Sequence, residues 1–207
     1  MGVIDGDRVD AARGDARVPD ALVLVRHAEP ERRARGRVIG RTDVGLSRDG
    51  VRQARDLARR LVRVESVVSS PARRALGTAE PIAAAGGATL EIDDGLREID
   101  FGAFDGRTFA SIRRERPELY RNWMRDPTSV VFPGGERWAS FRDRTLEAFD
   151  RIEAARGAGG TVVVSHLGPI LSALGAMRSI PDERLFDLSI DHASVHVLAD
   201  RSASAGA

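Results

Sequence analysis

Three short strings in this 207-residue chain carry side chains suited to one kind of chemistry. Arg26 and His27 stand in LVRHAEP, Arg73 and Arg74 in SSPARRALGTA, and His166 in VVVSHLGP. The strings follow or contain apolar runs that read as strands, and in parallel sheets ligands bind beyond the carboxyl ends of the strands. Two imidazoles and two or three guanidinium groups are therefore expected to converge. Planar guanidinium forks bond phosphate oxygens in pairs and helix amino termini add amide donors, so the expected ligand is a phosphoryl dianion. No metal is expected. No Asp or Glu accompanies these strings at a spacing for Mg²⁺, two His alone make an incomplete zinc set, and the chain has no Cys.

The elements that must position these groups are legible from pattern. Ala21 to Val25 is a short uninterrupted apolar run, the mark of a central strand buried on both faces. Ser47 caps a helix whose apolar face is Val51, Ala54, Leu57 and Leu61. Val64 to Ser69 reads as a second strand, Pro71 as the start of a helix running to about Ala85, and Thr89 to Ile92 as a third strand. Residues 93–135 hold most of the aromatics, with short helical pieces near 108–124, and are expected to cover one end of the sheet as an insertion. A long helix follows from about Glu136 to Arg156, then a strand at Thr161 to Ser165, a helix at Gly168 to Met177 and a last strand at Val195 to Leu198. The alternation predicts an α/β three-layer sandwich, a mostly parallel sheet with helices on both faces.

Composition sets the outer limits. With 42% hydrophobic and 30% charged residues and a net charge of +1, disorder and a dedicated polyanion binder are poor readings. Arginines outnumber acids between residues 26 and 63, yet most fall on the expected exposed helix face, so nucleic acid is not the expected partner. The first 19 residues hold four Asp and three Arg and no apolar segment, and the longest apolar runs are only ALVLV and TVVVS, so neither a secretory signal nor a membrane span is expected. The expected organisation is a flexible tail at 1–19, one domain at 20–199 and a tail at 200–207. The absence of Cys suits a reducing cytoplasm.

Taken in order, RHAEP, GRTDVGLSRDGVRQA, SSPARRALGTA, LREIDFGAFDG, PGGE and VSHLGPI resemble the histidine phosphatase superfamily, in its phosphoglycerate mutase-like branch, across residues 21–198. The string GRTD makes α-ribazole phosphatase-like members the closest look. The resemblance implies the phosphoglycerate mutase-like fold, no cofactor, and a phosphohistidine mechanism. It implies His27 as nucleophile, Arg26 and Arg74 as phosphate ligands, His166 as a donor to the phosphoryl oxygens and Glu98 as proton donor. Gly40, Arg41 and Leu167 would lie along the substrate. Ala28 and Leu167 stand where relatives carry glycine, and Arg33 stands near a usual Asn, which leaves the width of the pocket and the leaving group open.

The bland alternatives are explicit. Arg73 is expected in solvent, PGGE as a turn, His196 as an outward strand residue, and Phe101, Phe104, Trp123 and Trp138 as core and lid packing. His192 reaches the site only if the last strand runs antiparallel. The expected activity is a metal-independent phosphomonoesterase, a monomer or homodimer acting on a small phosphorylated metabolite, with α-ribazole 5′-phosphate the named candidate. Its rivals are a phosphoglycerate mutase, a protein phosphohistidine phosphatase, and a non-catalytic phosphate or polyanion-binding module.

Overall fold

The computed structural model describes residues 16–17, 22–157 and 159–198, so most of the two expected tails lies outside the described residues. The elements in chain order are β1 (Ala16–Arg17), β2 (Leu22–Arg26), α1 (Arg48–Arg60), β3 (Leu61–Val62), β4 (Val64–Ser69), α2 (Arg73–Gly86) and β5 (Thr89–Ile92). There follow α3 (Phe109–Glu115), α4 (Pro117–Arg125), α5 (Trp138–Ala155), β6 (Gly160–Ser165), α6 (Leu167–Arg178) and β7 (Val195–Leu198). Five strands form one sheet in the order β5-β4-β6-β2-β7, parallel except for β7, which runs antiparallel to β2. β1 pairs separately with β3.

The period of two along β2 builds the layers. Val23 and Val25 pack with Leu57 and Ala58 of α1 and with Ala75, Ala79 and Ile82 of α2. Leu22 and Leu24 point the other way, onto Phe141 and Phe149 of α5 and Ile170 and Leu174 of α6. Every one of these β2 side chains is buried, each contributing roughly 1.5–3 kcal/mol of hydrophobic stabilisation. The three-layer α/β sandwich is thus the observed architecture. Residues between β5 and α5, with Val38 from the segment between β2 and α1, add a smaller apolar cluster of Val38, Phe104, Ile112, Trp123, Val130 and Phe132.

Some boundaries differ from the expectation, each for a local reason. Ser47 does cap α1, accepting from the Gly50 amide at 2.9 Å, but Val51 is 40% exposed. The inward position of the first turn belongs to Gly50, where any Cβ would collide with the Glu29 carbonyl, and this phase turns Val51 outward. Leu61 is buried but belongs to β3. α2 starts at Arg73, with Ala72 as its cap, so Pro71 precedes the helix. α5 starts at Trp138, because Glu136 spends its carboxylate on Arg144 and remains in the lead-in turn.

Candidate active site

Chain direction brings the chemistry to one end of the sheet. β2 ends on Arg26 with His27 next, β4 leads through Ser69 and Ser70 into α2 and Arg74, and His166 follows β6 as the N-cap of α6. Glu98 follows a short 3-10 turn at Asp94–Leu96 that is anchored to the sheet by Ser165, whose hydroxyl donates to the Leu96 carbonyl at 2.7 Å. His27, Arg74, Glu98 and His166 are all buried, and Arg26 is half-buried.

Each group is held by a specific partner. His27 Nδ1 lies 2.8 Å from the carbonyl oxygen of Ala28. A carbonyl only accepts, so Nδ1 carries the proton and Nε2 keeps its lone pair. The Ala28 amide donates to Thr78 Oγ1 at 3.0 Å, which fixes the loop against α2. Arg74 donates to the carbonyls of Gly40 at 3.0 Å and Thr42 at 3.2 Å. His166 Nε2 lies 2.8 Å from Ser70 Oγ. Arg26 Nη1 donates to the Ile190 carbonyl. Among the described residues, the buried Arg26 Nε and His166 Nδ1 have no hydrogen-bond partner. Buried polar atoms are rarely left so. Both belong to the cluster for which the sequence predicts a phosphoryl group.

Burial, followed by the nearby Arg74, holds both His27 and His166 well below the ordinary imidazole range, so both rings are neutral at pH 7. Burial moves Glu98 the other way, above the usual carboxylate range, against hydrogen bonds from the amides of Ile99 at 3.0 Å and Gly168 at 3.3 Å. Gly168 is required here, since a Cβ would strike the Glu98 carboxylate. Two guanidinium charges, Arg26 and Arg74, remain to face a dianion.

The cavity around these groups has a volume of about 630 Å³. Of the residues singled out from the sequence, Arg26, His27, Arg74, Glu98 and Leu167 line it. Gly40, Arg41 and His166 do not. Gly40 is buried with its carbonyl on Arg74, and glycine is needed because a Cβ would collide with the Ile99 carbonyl. The Arg41 side chain lies outside the cavity, 3.7 Å from Asp100, and its amide is taken by Asp105. Arg33 pairs with Glu31 at 2.6 Å, away from the cavity, and Arg73 is exposed.

His192 is the group that the motifs did not secure. With β7 antiparallel, the preceding loop returns to the site and sets the His192 ring 5.3 Å from that of His27, while His166 stands 5.1 Å away. The loop is pinned to the segment that carries His27: the Arg26 amide donates to the Ser194 carbonyl and the Ala193 amide to the Arg26 carbonyl at 3.1 Å. Ala193 holds a φ of 58°, a conformation costly for a residue with a Cβ. Burial and the charge of Arg26 lower His192 to about 4. No group of three or more Asp, Glu or His placed to hold a metal ion occurs among the described residues. No helix among them is long and apolar enough to cross a membrane.

Comparison with known proteins agrees with this geometry. A bifunctional protein of Mycobacterium tuberculosis is 38% identical over 90% of this chain and 51% of its own length, so the chain spans about half of that curated relative. Phosphoserine phosphatase 1 of Hydrogenobacter thermophilus is 34% identical over 86% of this chain and 85% of its own. The crystal structure of a candidate α-ribazole-5′-P phosphatase of Escherichia coli superposes with a TM-score of 0.75 at 25% identity, covering 87% of this chain and 96% of that one. The family model described as histidine phosphatase superfamily (branch 1) matches residues 22–203, and the chain belongs to that superfamily.

Proposed function

We propose that the protein hydrolyses a small phosphorylated metabolite through a phosphohistidine on His27, without a metal ion, in the cytoplasm and as a monomer or homodimer. The observation that carries the reading is the His27 tautomer. With Nδ1–H spent on Ala28, the Nε2 lone pair is free to attack, beside two arginines and the unpartnered Nδ1 of His166.

Nε2 attacks phosphorus, an N–P bond forms, and the P–O bond to the alcohol breaks in line. Glu98, whose burial favours the protonated form, gives its proton to the departing oxygen. Arg26, Arg74 and the His166 Nδ1–H hold the three equatorial oxygens, where charge accumulates in the transition state. Water then attacks phosphorus from the vacated side, Glu98 as carboxylate takes its proton, the N–P bond breaks, and inorganic phosphate leaves with His27 neutral again. Gly40 supports this machinery through Arg74, and Leu167 forms part of the wall. α-Ribazole 5′-phosphate remains the named candidate substrate, supported by GRTD and by the likeness to the Escherichia coli structure.

The test is a panel of phosphomonoesters presented to the purified protein with and without excess EDTA. Phosphate release that survives the chelator is expected. Phosphate binding without turnover would favour a binding module, and loss restored by added metal would contradict the cationic mechanism.

A further inference from the structure

Beyond the phosphoryl groups the same cavity is walled by aromatic rings. Phe109 stacks on Trp123 with centroids 5.5 Å apart and planes 24° from parallel, and Phe132 meets Trp123 edge-on at 5.0 Å. Trp138 and Phe186 make a second pair at 5.7 Å. Trp138 spends its indole N–H on Asp182 at 2.7 Å, so its polar atom is not offered to a ligand. All five rings line the cavity. Phe109 and Phe186 are left 37% and 38% exposed, apolar surface that only a partner would cover.

The ionised side chains Glu29, Arg35 and Arg37 around these rings already hold hydrogen-bond partners. Glu29, two residues beyond the nucleophile, lines the cavity with its carboxylate on Arg35 at 2.7 Å and on the Ser47 hydroxyl at 3.0 Å. Arg37, exposed, donates to the Gly106 carbonyl at 2.8 Å. Arg26 and Arg74 are committed to the phosphoryl end. A leaving group with its own carboxylate would find in this chamber a fixed negative charge and an arginine already paired to it.

We infer that the outer chamber selects phosphate esters whose alcohol carries a flat, uncharged aromatic ring, and disfavours esters of small hydroxy acids. The inference rests on the phosphatase reading and adds the class of leaving group. A ring entering the chamber buries the open faces of Phe109 and Phe186 and makes the offset or edge-on contacts that aromatic pairs prefer.

The experiment compares kcat/KM for 2-phenylethyl phosphate, ethyl phosphate and O-phosphoserine. All three release a primary alcohol, so the ring and the carboxylate are what differ. The phenylethyl ester is expected to exceed each of the others at least tenfold, a difference of about 1.4 kcal/mol. In Phe109→Ala the ratio of phenylethyl to ethyl ester should narrow at least threefold. As a ratio within one protein, it is insensitive to any loss of folded enzyme. Equal kcat/KM across the three esters, or a ratio unchanged in Phe109→Ala, overturns the inference and leaves the phosphatase reading standing. Hydrolysis of none of them, with no phosphoprotein formed, overturns both.

Discussion

Arg144 closes a fork on Glu136, with Nε 2.7 Å from Oε1 and Nη2 2.9 Å from Oε2, and the same guanidinium caps the carbonyls of Gly95, Arg97 and Glu98. The turn that delivers Glu98 is therefore fastened to α5 by one side chain. The geometry uses the planar fork fully, which an ammonium group cannot reproduce.

Arg144→Ala should cost about 2–3 kcal/mol of stability, because it strands a half-buried carboxylate and three carbonyls at once. Arg144→Lys, keeping the charge but not the fork, should fall between. Urea unfolding checks both. A loss under about 0.5 kcal/mol in Arg144→Ala, the range of an ordinary surface change, would show that water replaces the clamp.

Removing the nucleophile should remove chemistry and leave the fold. His27→Ala is expected to lower kcat on the order of 10⁶-fold, the scale seen when a nucleophile is deleted, and to abolish the acid-labile phosphoprotein seen on rapid quenching. Its circular dichroism should match the parent. Turnover at the parent rate would move the covalent step to another group.

The buried titrating groups set opposite pH trends. His27 and His166 have folded pKa values below the unfolded 6.5, so the stability tied to them is complete above pH 6.5 and is lost as pH falls. Glu98 has a raised folded value, so its contribution is complete below about 4.5 and is lost as pH rises. Glu98→Gln should therefore be more stable than the parent at pH 8, with the difference shrinking toward pH 4.5, as read from urea midpoints. In the phosphorylation step the same variant should lose about 10²–10⁴-fold on alkyl phosphates and far less on nitrophenyl phosphate, whose leaving group needs little protonation. Equal losses on the two esters would leave Glu98 only a positioning role.

Local pattern carried most of the fold and drew attention to the residues of the candidate site. Apolar runs fix the strands, and the residues that end β2 and β6 are catalytic candidates simply because chain direction places them at the carboxyl edge. Groups set by long-range pairing were harder to read. His192 depends on the direction of β7, which no residue in that strand encodes alone. Ser70 stands in a string singled out for its arginines, and its role appears only where β4 and β6 lie side by side. The α1 phase turned on Gly50 meeting the Glu29 backbone, a contact invisible to helical periodicity. The aromatic residues expected as packing do pack, but Phe101, Trp123 and Trp138 also face the cavity, because the insertion folds over the end of the sheet.

The last prediction separates a phosphatase from a mutase. A mutase must shield phosphohistidine from water and hold a second anionic end of its substrate while the group is returned to another hydroxyl. Asp100 would oppose such an anion only from inside the pocket, and Arg107, Arg113, Arg114 or Arg116 would bind one only from its wall. The structure takes both sides of that argument out of the cavity. Asp100 accepts from the Gly102 amide at 2.8 Å and faces Arg41, while Arg107 pairs with Glu115 at 2.5 Å. None of the four arginines is among the lining residues. Glu29, held on Arg35, does line the cavity. With Arg26 and Arg74 engaged by the phosphoryl group, the carboxylate of phosphoglycerate meets the paired Glu29 and Arg35, an Arg37 bonded to the Gly106 carbonyl, and aromatic wall. Incubation with 3-phosphoglycerate should therefore release inorganic phosphate faster than it produces 2-phosphoglycerate. Isomerisation outpacing release would mean that Arg35 or Arg37 leaves its partner to bind the substrate, and would assign the site to a mutase.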